Sequence, residues 1–244
     1  MSPNIVGIDI GSVSVRALEL RNADKQRPVI ERFHEIALPE GSVRRGEVLE
    51  IGMVASAIRN LWAAGGFKTR NVVLGMGGPR VLARDLQMPR AALGQMREAL
   101  PFHVQEMLPV PVAEALLDFY PISEEPGEHG PVVNGLLVAA IKEAVLRERR
   151  RRHAAGLRPV QVDLIPFALA RAMAPRRAST GLSAIVSIGA NTTNIVISLD
   201  GVPQFVRIIS SGGDDITRAV ANRLQLTFPQ PRGPSARSAS ERAA

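Results

Sequence analysis

The chain has 244 residues, of which 45% are apolar and 22% are charged, and it carries a formal net charge of +7 at pH 7. This length and apolar content suffice for a full hydrophobic core in one large or two small domains. The absence of cysteine excludes a disulfide scaffold and a thiolate metal site, and the four histidines have no ligand spacing.

The positive charge comes almost wholly from arginine. Such a balance favours contact with an anionic leaflet, nucleic acid or acidic partners without choosing among them. No apolar run approaches the roughly 20 residues that span a bilayer. The N-terminus enters its first predicted strand without a charged and apolar leader. We therefore expect a cytoplasmic protein.

The first predicted strand runs through Asp9 into the turn Gly11-Ser12-Val13-Ser14 and continues as a second strand of alternating apolar residues. Glycine at position 11 allows backbone angles that are closed to other residues. The following residues can then aim successive N–H groups and two hydroxyls at one anionic point. Asp9, at the end of a buried strand, is placed to hold a metal-bound water. The pattern favours a phosphate-binding hairpin, and a plain tight turn is the alternative.

The rest of the first 80 residues predicts a meander, a helix and a buried parallel strand. Residues 29–38 have the pattern of a third strand in the same antiparallel sheet. Apolar residues recur at helical spacing over residues 47–64, and Gly65-Gly66 supplies a stop. Residues 71–76 form a nearly continuous apolar run, which is typical of a strand buried on both faces.

The character of the chain changes over residues 81–141. The pattern predicts a strand that ends at Met88-Pro89, a helix over residues 91–107 with a kink at Pro101, and strands over residues 116–122 and 132–141. Between the last two strands, residues 123–131 are acidic and rich in Gly and Pro, so we expect an exposed loop.

A basic helix is predicted over residues 142–155, closed by Gly156, and it carries the run Arg147-Glu148-Arg149-Arg150-Arg151-Arg152. A solvated helix face is the first interpretation of this run. Contact with anionic lipid head groups is the second. No aromatic residues interleave with the arginines, so nucleic acid is not expected as a partner. A strand over residues 159–165, a helix over 166–173 and a polar linker over 175–181 follow.

A second hairpin repeats the pattern of the first over residues 184–197. Its turn is Gly189-Ala190-Asn191-Thr192-Thr193, with Gly189 in the position of Gly11. Two related hairpins far apart in one chain indicate a duplicated protein of two lobes, whose turns face each other across a cleft. After the turn Asp200-Gly201 come a strand over residues 202–209 and a helix over 214–226. We expect the N-terminal end of that helix to offer free N–H groups beside the cleft.

Three motifs in this order resemble a known superfamily. Gly7-Ile8-Asp9-Ile10-Gly11-Ser12 resembles the first phosphate loop of the actin, Hsp70 and sugar-kinase superfamily, and Ile188-Gly189-Ala190-Asn191-Thr192-Thr193 resembles the second. Gly212-Gly213-Asp214-Asp215-Ile216-Thr217 resembles the turn that opens the next helix beside the nucleotide. The order of segments from residue 5 to about 226 is most similar to the PilM family of actin-like type IV pilus assembly proteins, relatives of FtsA.

The resemblance implies an α/β fold with duplicated actin-like, ribonuclease-H-like lobes. Residues 1–80 would start the first lobe, and residues 81–141 would be an inserted α+β subdomain that docks proteins. Residues 142–178 would complete the first lobe and connect it to a partial second lobe over residues 179–226. A disordered tail, residues 227–244, would follow.

The resemblance also implies a cytoplasmic scaffold that binds ATP with Mg²⁺. Asp9 would hold Mg²⁺ through water. The β- and γ-phosphates would be bound from the first lobe by Gly11, Ser12, Val13 and Ser14. From the second lobe they would be enclosed by Gly189, Ala190, Asn191, Thr192 and Thr193. Gly212 and Gly213 would lie beside the nucleotide. The implied partner is the N-terminal cytoplasmic peptide of PilN, a membrane-anchored protein of the inner-membrane pilus platform. Oligomer and filament formation stay open.

The sequence departs from the family at two places. Ser187 stands where many superfamily ATPases carry an acidic residue, and a hydroxyl is a weak metal ligand and a poor base. We therefore expect ATP binding to survive better than hydrolysis, and we assign no catalytic residue. Beyond Leu226 the family continues with helices, a strand and a Gly-rich loop at the adenine, which predicts weak nucleotide affinity here. A truncated gene product and a shortened protein completed by another chain both explain the difference.

Two alternative functions remain from the same superfamily. A sugar or metabolite kinase needs a carboxylate base in the first lobe, for which Asp85 and Asp118 are the candidates, and both lie in the inserted segment. An FtsA-like division protein usually ends in an amphipathic membrane helix, and the last 18 residues here lack apolar periodicity.

Overall fold

The computed structural model describes residues 4–25, 27–142, 155–173 and 181–227. In chain order these residues form β1 (Ile5–Ile10), β2 (Ser14–Arg21), β3 (Val29–Ala37), β4 (Val43–Arg44), β5 (Glu47–Val48), α1 (Ile51–Gly65), β6 (Asn71–Met76), β7 (Val81–Pro89), α2 (Leu93–His103), β8 (Ala115–Gly127), β9 (Gly130–Ile141), β10 (Arg158–Leu164), α3 (Ile165–Met173), β11 (Leu182–Ile188), β12 (Thr193–Leu199), β13 (Val202–Ile209) and α4 (Gly213–Arg223).

The first lobe is a five-stranded sheet with the order β10-β6-β1-β2-β3. The first three strands of the chain form an antiparallel meander, and β6 and β10 add to it in parallel. Alternate residues of β1 and β2, among them Val6, Ile8 and Ala17, point into one core with the apolar face of α1. Valine and isoleucine at every second position bury one face of the sheet, because side chains alternate between faces. The predicted meander, helix and buried parallel strand are all present.

Helix α1 starts four residues later than predicted. Glu47 and Val48 are extended because they pair with Arg44 and Val43 in a two-stranded hairpin. The N–H groups of residues 49 and 50 donate to the carbonyl of Ser42, so the chain enters the helix only at Ile51. The helix ends where predicted: Gly66 adopts φ +63° and donates its N–H to the carbonyl of Trp62.

The inserted segment forms a three-stranded sheet of order β7-β9-β8, with α2 packed on it. Helix α2 is shorter than predicted and retains Pro101 in its last turn. The expected loop over residues 123–131 is instead the end of a ribbon, because β8 and β9 stay paired as far as Gly127 and Gly130. Its acidic residues are exposed, as the composition predicted.

The second lobe is the three-stranded antiparallel sheet β11-β12-β13. Asp200 and Gly201 connect two of its strands with φ of +52° and +81°, as a two-residue hairpin turn requires. One face of the sheet, through Val196 and Val206, packs against α3 and the inserted subdomain. Val196 is fully buried in that shared core.

Several predictions lie outside the described residues. These are most of the basic helix with the run from Arg147 to Arg152, nearly all of the linker over 175–181, and the tail beyond residue 227. Among the helices that are described, none is long and apolar enough to cross a membrane.

Candidate functional site

The turns of the two repeated hairpins have the same backbone geometry. In the first, the N–H of Gly11 donates to the carbonyl of Ser14 at 2.9 Å, and in the second the N–H of Gly189 donates to the carbonyl of Thr192 at 2.8 Å. A Cβ atom on Gly11 would lie 3.2 Å from the Ser14 oxygen, and one on Gly189 would lie 3.1 Å from the Thr192 oxygen. Both positions therefore favour glycine for the same reason, which is the closeness of the returning strand.

Both turns line one cavity of about 670 Å³. The cavity lies between the lobes, and α3 contributes Ala168, Leu169 and Ala172 to its wall. Most of the predicted site residues line it together: Asp9, Gly11, Ser12, Val13, Ser14, Gly189, Ala190, Asn191 and Thr192. Thr193, Gly212 and Gly213 are not among the lining residues. A volume of this size is within the range of small-molecule sites.

A polar network supports the first turn from behind. Glu35 on β3 accepts hydrogen bonds from the hydroxyl of Ser14 at 2.7 Å and from Nε of Arg16 at 2.8 Å. Nη1 of Arg16 lies 3.6 Å from the carboxylate of Asp9. The Ser14 hydroxyl thus donates its hydrogen bond to Glu35, whereas the sequence pattern predicted that both hydroxyls of the turn face an anion. Arg16 places a positive charge at the cavity wall, which it also lines.

The start of α4 braces the second turn. The N–H groups of Gly213 and Asp214 donate to the carbonyls of Gly189 and Ala190, both at 2.9 Å. A Cβ atom on Gly212 would lie 2.4 Å from the Gly189 oxygen, so only glycine allows this close approach. The sequence predicted that these N–H groups are free beside the cleft, and this was wrong, because the hairpin carbonyls occupy them. Contact of Gly212 and Gly213 with a nucleotide stays a prediction.

Side chains also hold α4 to the turn. Nδ2 of Asn191 donates to Oδ2 of Asp214 at 2.8 Å, and the hydroxyl of Thr193 donates to the carbonyl of Ser211 at 2.9 Å.

Asp215 accepts hydrogen bonds from the N–H of Gly212 and the hydroxyl of Ser211, each at 2.9 Å. These bonds lower the pKa of Asp215 below its ordinary value, with smaller help from the charges of Arg45 and Arg218.

Opposite walls of the cavity carry equivalent cross-strand pairs of different chemistry. In the first hairpin Asp9 lies opposite Arg16, and in the second Ser187 lies opposite Asn194. All four residues line the cavity. Asn194 is buried, with 7% of its surface exposed, and its Oδ1 has no hydrogen-bond partner among the described residues. The first wall is therefore charged, and the second is polar and neutral.

Sequence reasoning missed Arg16, Glu35, Asp163 and Asn194. The signal for Arg16 and Asn194 was their spacing, because each follows its turn glycine by five residues and so lies opposite the last polar residue of the preceding strand. Asp163 lines the cavity from the end of β10 and forms an ion pair with Arg171 of α3. Glu35 gave no local signal.

The residues present fit a magnesium polyphosphate. Mg²⁺ is usually bound by one or two carboxylates together with water and substrate phosphates. Asp9 supplies one carboxylate to the cavity, and Ser12 lies in the adjoining turn. The described residues contain no cluster of three or more His, Cys, Asp or Glu that could hold a metal ion by itself. Any metal here would therefore depend on the ligand for part of its coordination.

Neither candidate base for a kinase lies at the cavity. Asp85 is on β7 and Asp118 on β8, both in the inserted subdomain, and neither is among the residues that line the cavity. Asp118 accepts a hydrogen bond from Nε of Arg97 at 2.7 Å. The structure thus places both carboxylates away from the two turns.

A second, smaller cavity of about 330 Å³ lies where the first lobe meets the inserted subdomain. Its wall combines the hairpin β4–β5, the start of α1 and the turn Gly77-Gly78-Pro79. Leu49 and Ile51, which also line it, are 55% and 48% exposed. Glu47 and Arg80 form an ion pair at this wall. The recess therefore combines exposed aliphatic side chains with one ion pair and glycine backbone.

The chain is similar to known proteins in both sequence and fold. A sequence model of the family described as type IV pilus assembly protein PilM matches residues 7–232. A solved structure described as a PilM-PilN type IV pilus biogenesis complex is 27% identical, with a TM-score of 0.82, and the match covers 93% of this chain and 68% of that chain. None of the curated proteins matches the sequence at a significant level.

A more distant similarity shows the fold alone. The cytoplasmic domain of EpsL, an inner-membrane component of the type II secretion system of Vibrio cholerae, is 11% identical with a TM-score of 0.53, and the match covers 94% of this chain and 78% of that domain. The predicted fold class, duplicated actin-like lobes with an inserted subdomain, is confirmed.

Proposed function

This chain belongs to the PilM family of type IV pilus assembly proteins, and from this premise we propose that it is an ATP-binding, actin-like scaffold. In this proposal it docks the N-terminal cytoplasmic peptide of a PilN-type membrane protein and is thereby held at the inner-membrane pilus platform. The observation that carries the nucleotide part is the shared cavity, into which two glycine turns of equal geometry project from separate lobes.

The lining residues have distinct roles in this proposal. The turn from Gly11 to Ser14 binds the β- and γ-phosphates, and Arg16 adds a positive charge beside them. Asp9 holds Mg²⁺ through water, and the turn from Gly189 to Thr192 closes on the phosphates from the second lobe. Ser187 offers no carboxylate, so ATP is bound more readily than it is hydrolysed.

Isothermal titration with ATP and Mg²⁺ tests the nucleotide site. Wild-type protein should bind, and Ser12→Glu should abolish binding because it places a carboxylate against the phosphates. Ser56→Glu, an equivalent change at an exposed position of α1, is the matched control and should bind as wild type does. A folded wild-type protein that gives no heat with ATP, or equal binding by Ser12→Glu, would remove the nucleotide part of the proposal.

We place the peptide site in the smaller cavity. The support is a pair of exposed aliphatic side chains in its wall, Leu49 and Ile51, which a bound peptide would cover. The similarity to a PilM-PilN complex makes a PilN peptide the expected occupant. The outer surface of the inserted subdomain, where Phe102 is 84% exposed, is the competing location.

Fluorescence anisotropy with a labelled PilN N-terminal peptide separates these locations. Ile51→Asp should weaken binding at least about tenfold, the loss of one buried aliphatic anchor, and Phe102→Asp should leave binding unchanged. The reverse result would move the site to α2. No binding by a folded wild-type protein would remove the docking part while leaving the nucleotide part in place.

Contact of the run from Arg147 to Arg152 with anionic lipid also stays a proposal.

A further inference from the structure

We propose that Glu35 is a positioning residue, which orients the guanidinium of Arg16 towards the phosphates of the bound nucleotide. This inference rests on the proposed nucleotide site and adds to it a residue of the edge strand β3. Glu35 is not among the residues that line the larger cavity, so it acts on the ligand through Arg16 and not by direct contact.

Three charged residues form one row across the first sheet. In the strand register, Arg16 lies opposite Asp9 on β1 and opposite Glu35 on β3. Their neighbours Ile8 and Ala17 belong to the core that contains the apolar face of α1. Because side chains alternate between faces, the row points to the other face of the sheet. That face borders the larger cavity, which Asp9 and Arg16 both line.

Glu35 fixes one edge of the Arg16 guanidinium. Its Oε1 accepts a hydrogen bond from Nε of Arg16 at 2.8 Å, and only 14% of the Glu35 side chain is exposed. The same oxygen accepts a hydrogen bond from the hydroxyl of Ser14 at 2.7 Å, and Ser14 is buried in the first turn. A carboxylate that two donors hold in place also fixes the plane of the guanidinium bonded to it.

The terminal nitrogens of Arg16 remain for a ligand. Within the part of the chain that the structure describes, neither of them donates a hydrogen bond, since Nη1 lies 3.6 Å from Oδ2 of Asp9. The side chains of Arg16 and Asp9 are 47% and 50% exposed at the cavity wall. Arginine binds phosphate through a planar fork of N–H groups, and such a fork has to be oriented correctly to form two bonds at once.

Glu35 has two effects of opposite sign on an anionic ligand. Its negative charge repels the phosphates, so Coulomb's law alone predicts tighter binding when the charge is removed. Orientation of Arg16 predicts the reverse, because a disordered guanidinium loses its charge-assisted hydrogen bonds. Water and salt weaken the repulsion at this exposed wall, whereas the bonds form in direct contact. The net result of removing the Glu35 charge should therefore be a loss of affinity.

Isothermal titration with ATP and Mg²⁺ tests the inference in two backgrounds. Glu35→Gln keeps the shape of the side chain but not the charge that holds Arg16, so affinity should fall about tenfold, the value of one charge-assisted hydrogen bond. Arg16→Lys keeps the positive charge but has neither Nε nor a fork, and it should bind more weakly than wild type. In the Arg16→Lys background, Glu35→Gln should cause no further loss, because only repulsion is removed.

Glu31→Gln is the matched control. Glu31 forms an ion pair with Arg21 between the same two strands, and neither residue lines the cavity. The variant makes the same change in net charge and removes a comparable ion pair, so it should bind ATP as wild type does.

Each outcome decides between the site and the role of Glu35. If folded wild-type protein binds no ATP, the proposed nucleotide site itself is wrong. If wild type binds and Glu35→Gln binds equally well or better, only the role of Glu35 is wrong. An equal loss in both backgrounds would show that Glu35 supports the turn through Ser14, and orientation of Arg16 would be abandoned.

Glu35→Asp is the second variant, which carries the test if Glu35→Gln does not fold. It keeps the charge and withdraws the carboxylate by one methylene group, so repulsion of the phosphates is unchanged while the hold on Arg16 is lost. Its affinity should fall as well, and binding equal to that of wild type would overturn the inference.

Discussion

Asp215 connects the start of α4 to the second turn through a single carboxylate. Its oxygen accepts bonds from the N–H of Gly212 and the hydroxyl of Ser211, and Arg45 and Arg218 lie close enough to favour its charge. The pKa of Asp215 is therefore lower in the folded protein than in the unfolded chain. A lowered pKa stabilises the fold at every pH above the unfolded value, and this stabilisation is lost as pH falls through the folded value.

We predict that Asp215→Asn reduces stability at neutral pH and makes it less sensitive to acid below about pH 4, the ordinary range of an aspartate. The substitution removes the ionisable group, so the stability that the two hydrogen bonds at the helix start gain from the carboxylate charge is lost at all pH values. The free energy of unfolding therefore changes less with pH in the acid range. Urea unfolding at a series of pH values measures both effects. Asp85→Asn, which removes an exposed carboxylate on β7, controls for the change in net charge. Equal acid sensitivity of Asp215→Asn and wild type would contradict the prediction.

At the scale of secondary-structure elements, the turn of the hairpin β4–β5 at Gly46 packs against the turn at Gly77. Gly46 has φ +77°, and a Cβ atom there would lie 2.5 Å from the carbonyl oxygen of Gly77. Gly46 lines both cavities, and the turn at Gly77 lines both as well. The packing of these two turns therefore shapes the nucleotide cavity and the proposed peptide cavity at once.

We predict that Gly46→Ala lowers the free energy of unfolding by about 2 kcal/mol or more, from the left-handed backbone and the steric clash together. Gly41→Ala is an informative control, because Gly41 has φ +78° and no atom within 4 Å of its ideal Cβ position. That variant should lose only the conformational part, about 1–2 kcal/mol. Urea unfolding compares the two variants. Equal losses would show that the contact between the turns contributes nothing.

The elements that could be predicted from the sequence are those with local causes. Gly11 and Gly189 identify their turns in the sequence because each donates its N–H to the carbonyl three residues later. Gly66 ends α1 because it adopts left-handed backbone angles. Residues 47–48 and the end of the ribbon β8–β9 were predicted wrongly, since pairing with another strand keeps them extended. The composition of a segment, whether typical of a helix or of a loop, does not reveal that another strand will pair with it.

The same limit applies to the candidate site. The turn residues could be predicted from their spacing, whereas the roles of their neighbours depend on register between strands. Ser14 donates to Glu35, which lies 21 positions away, and the N–H groups of α4 are taken by carbonyls of the second turn. Asn194 became a candidate only when its pairing with Ser187 placed it in the cavity wall.

At the scale of the whole molecule, the two lobes differ in how their sheets are covered. In the first lobe α1 covers one face, and β6 pairs with the outer edge of β1. Within the described residues, the corresponding edge of β11 has no paired strand. On β11 the residues that alternate with core-packed Ile185 include the exposed Leu182, Val186 and Ile188, at 76%, 55% and 67%. Ile188 also lines the larger cavity. We name these three side chains the open face.

We predict that the open face makes the protein bind the dye 1-anilinonaphthalene-8-sulfonate and self-associate as its concentration rises, because a contiguous apolar patch with an unpaired edge favours association. Val186→Lys should reduce dye fluorescence and shift the sedimentation profile towards monomer. Its free energy of unfolding should change by no more than about 0.5 kcal/mol, as for an ordinary surface substitution. Val160→Lys, at a valine of β10 that is 56% exposed, is the matched control and should alter neither signal. An equal loss of fluorescence in both variants would show that general charge, and not the open face, governs association.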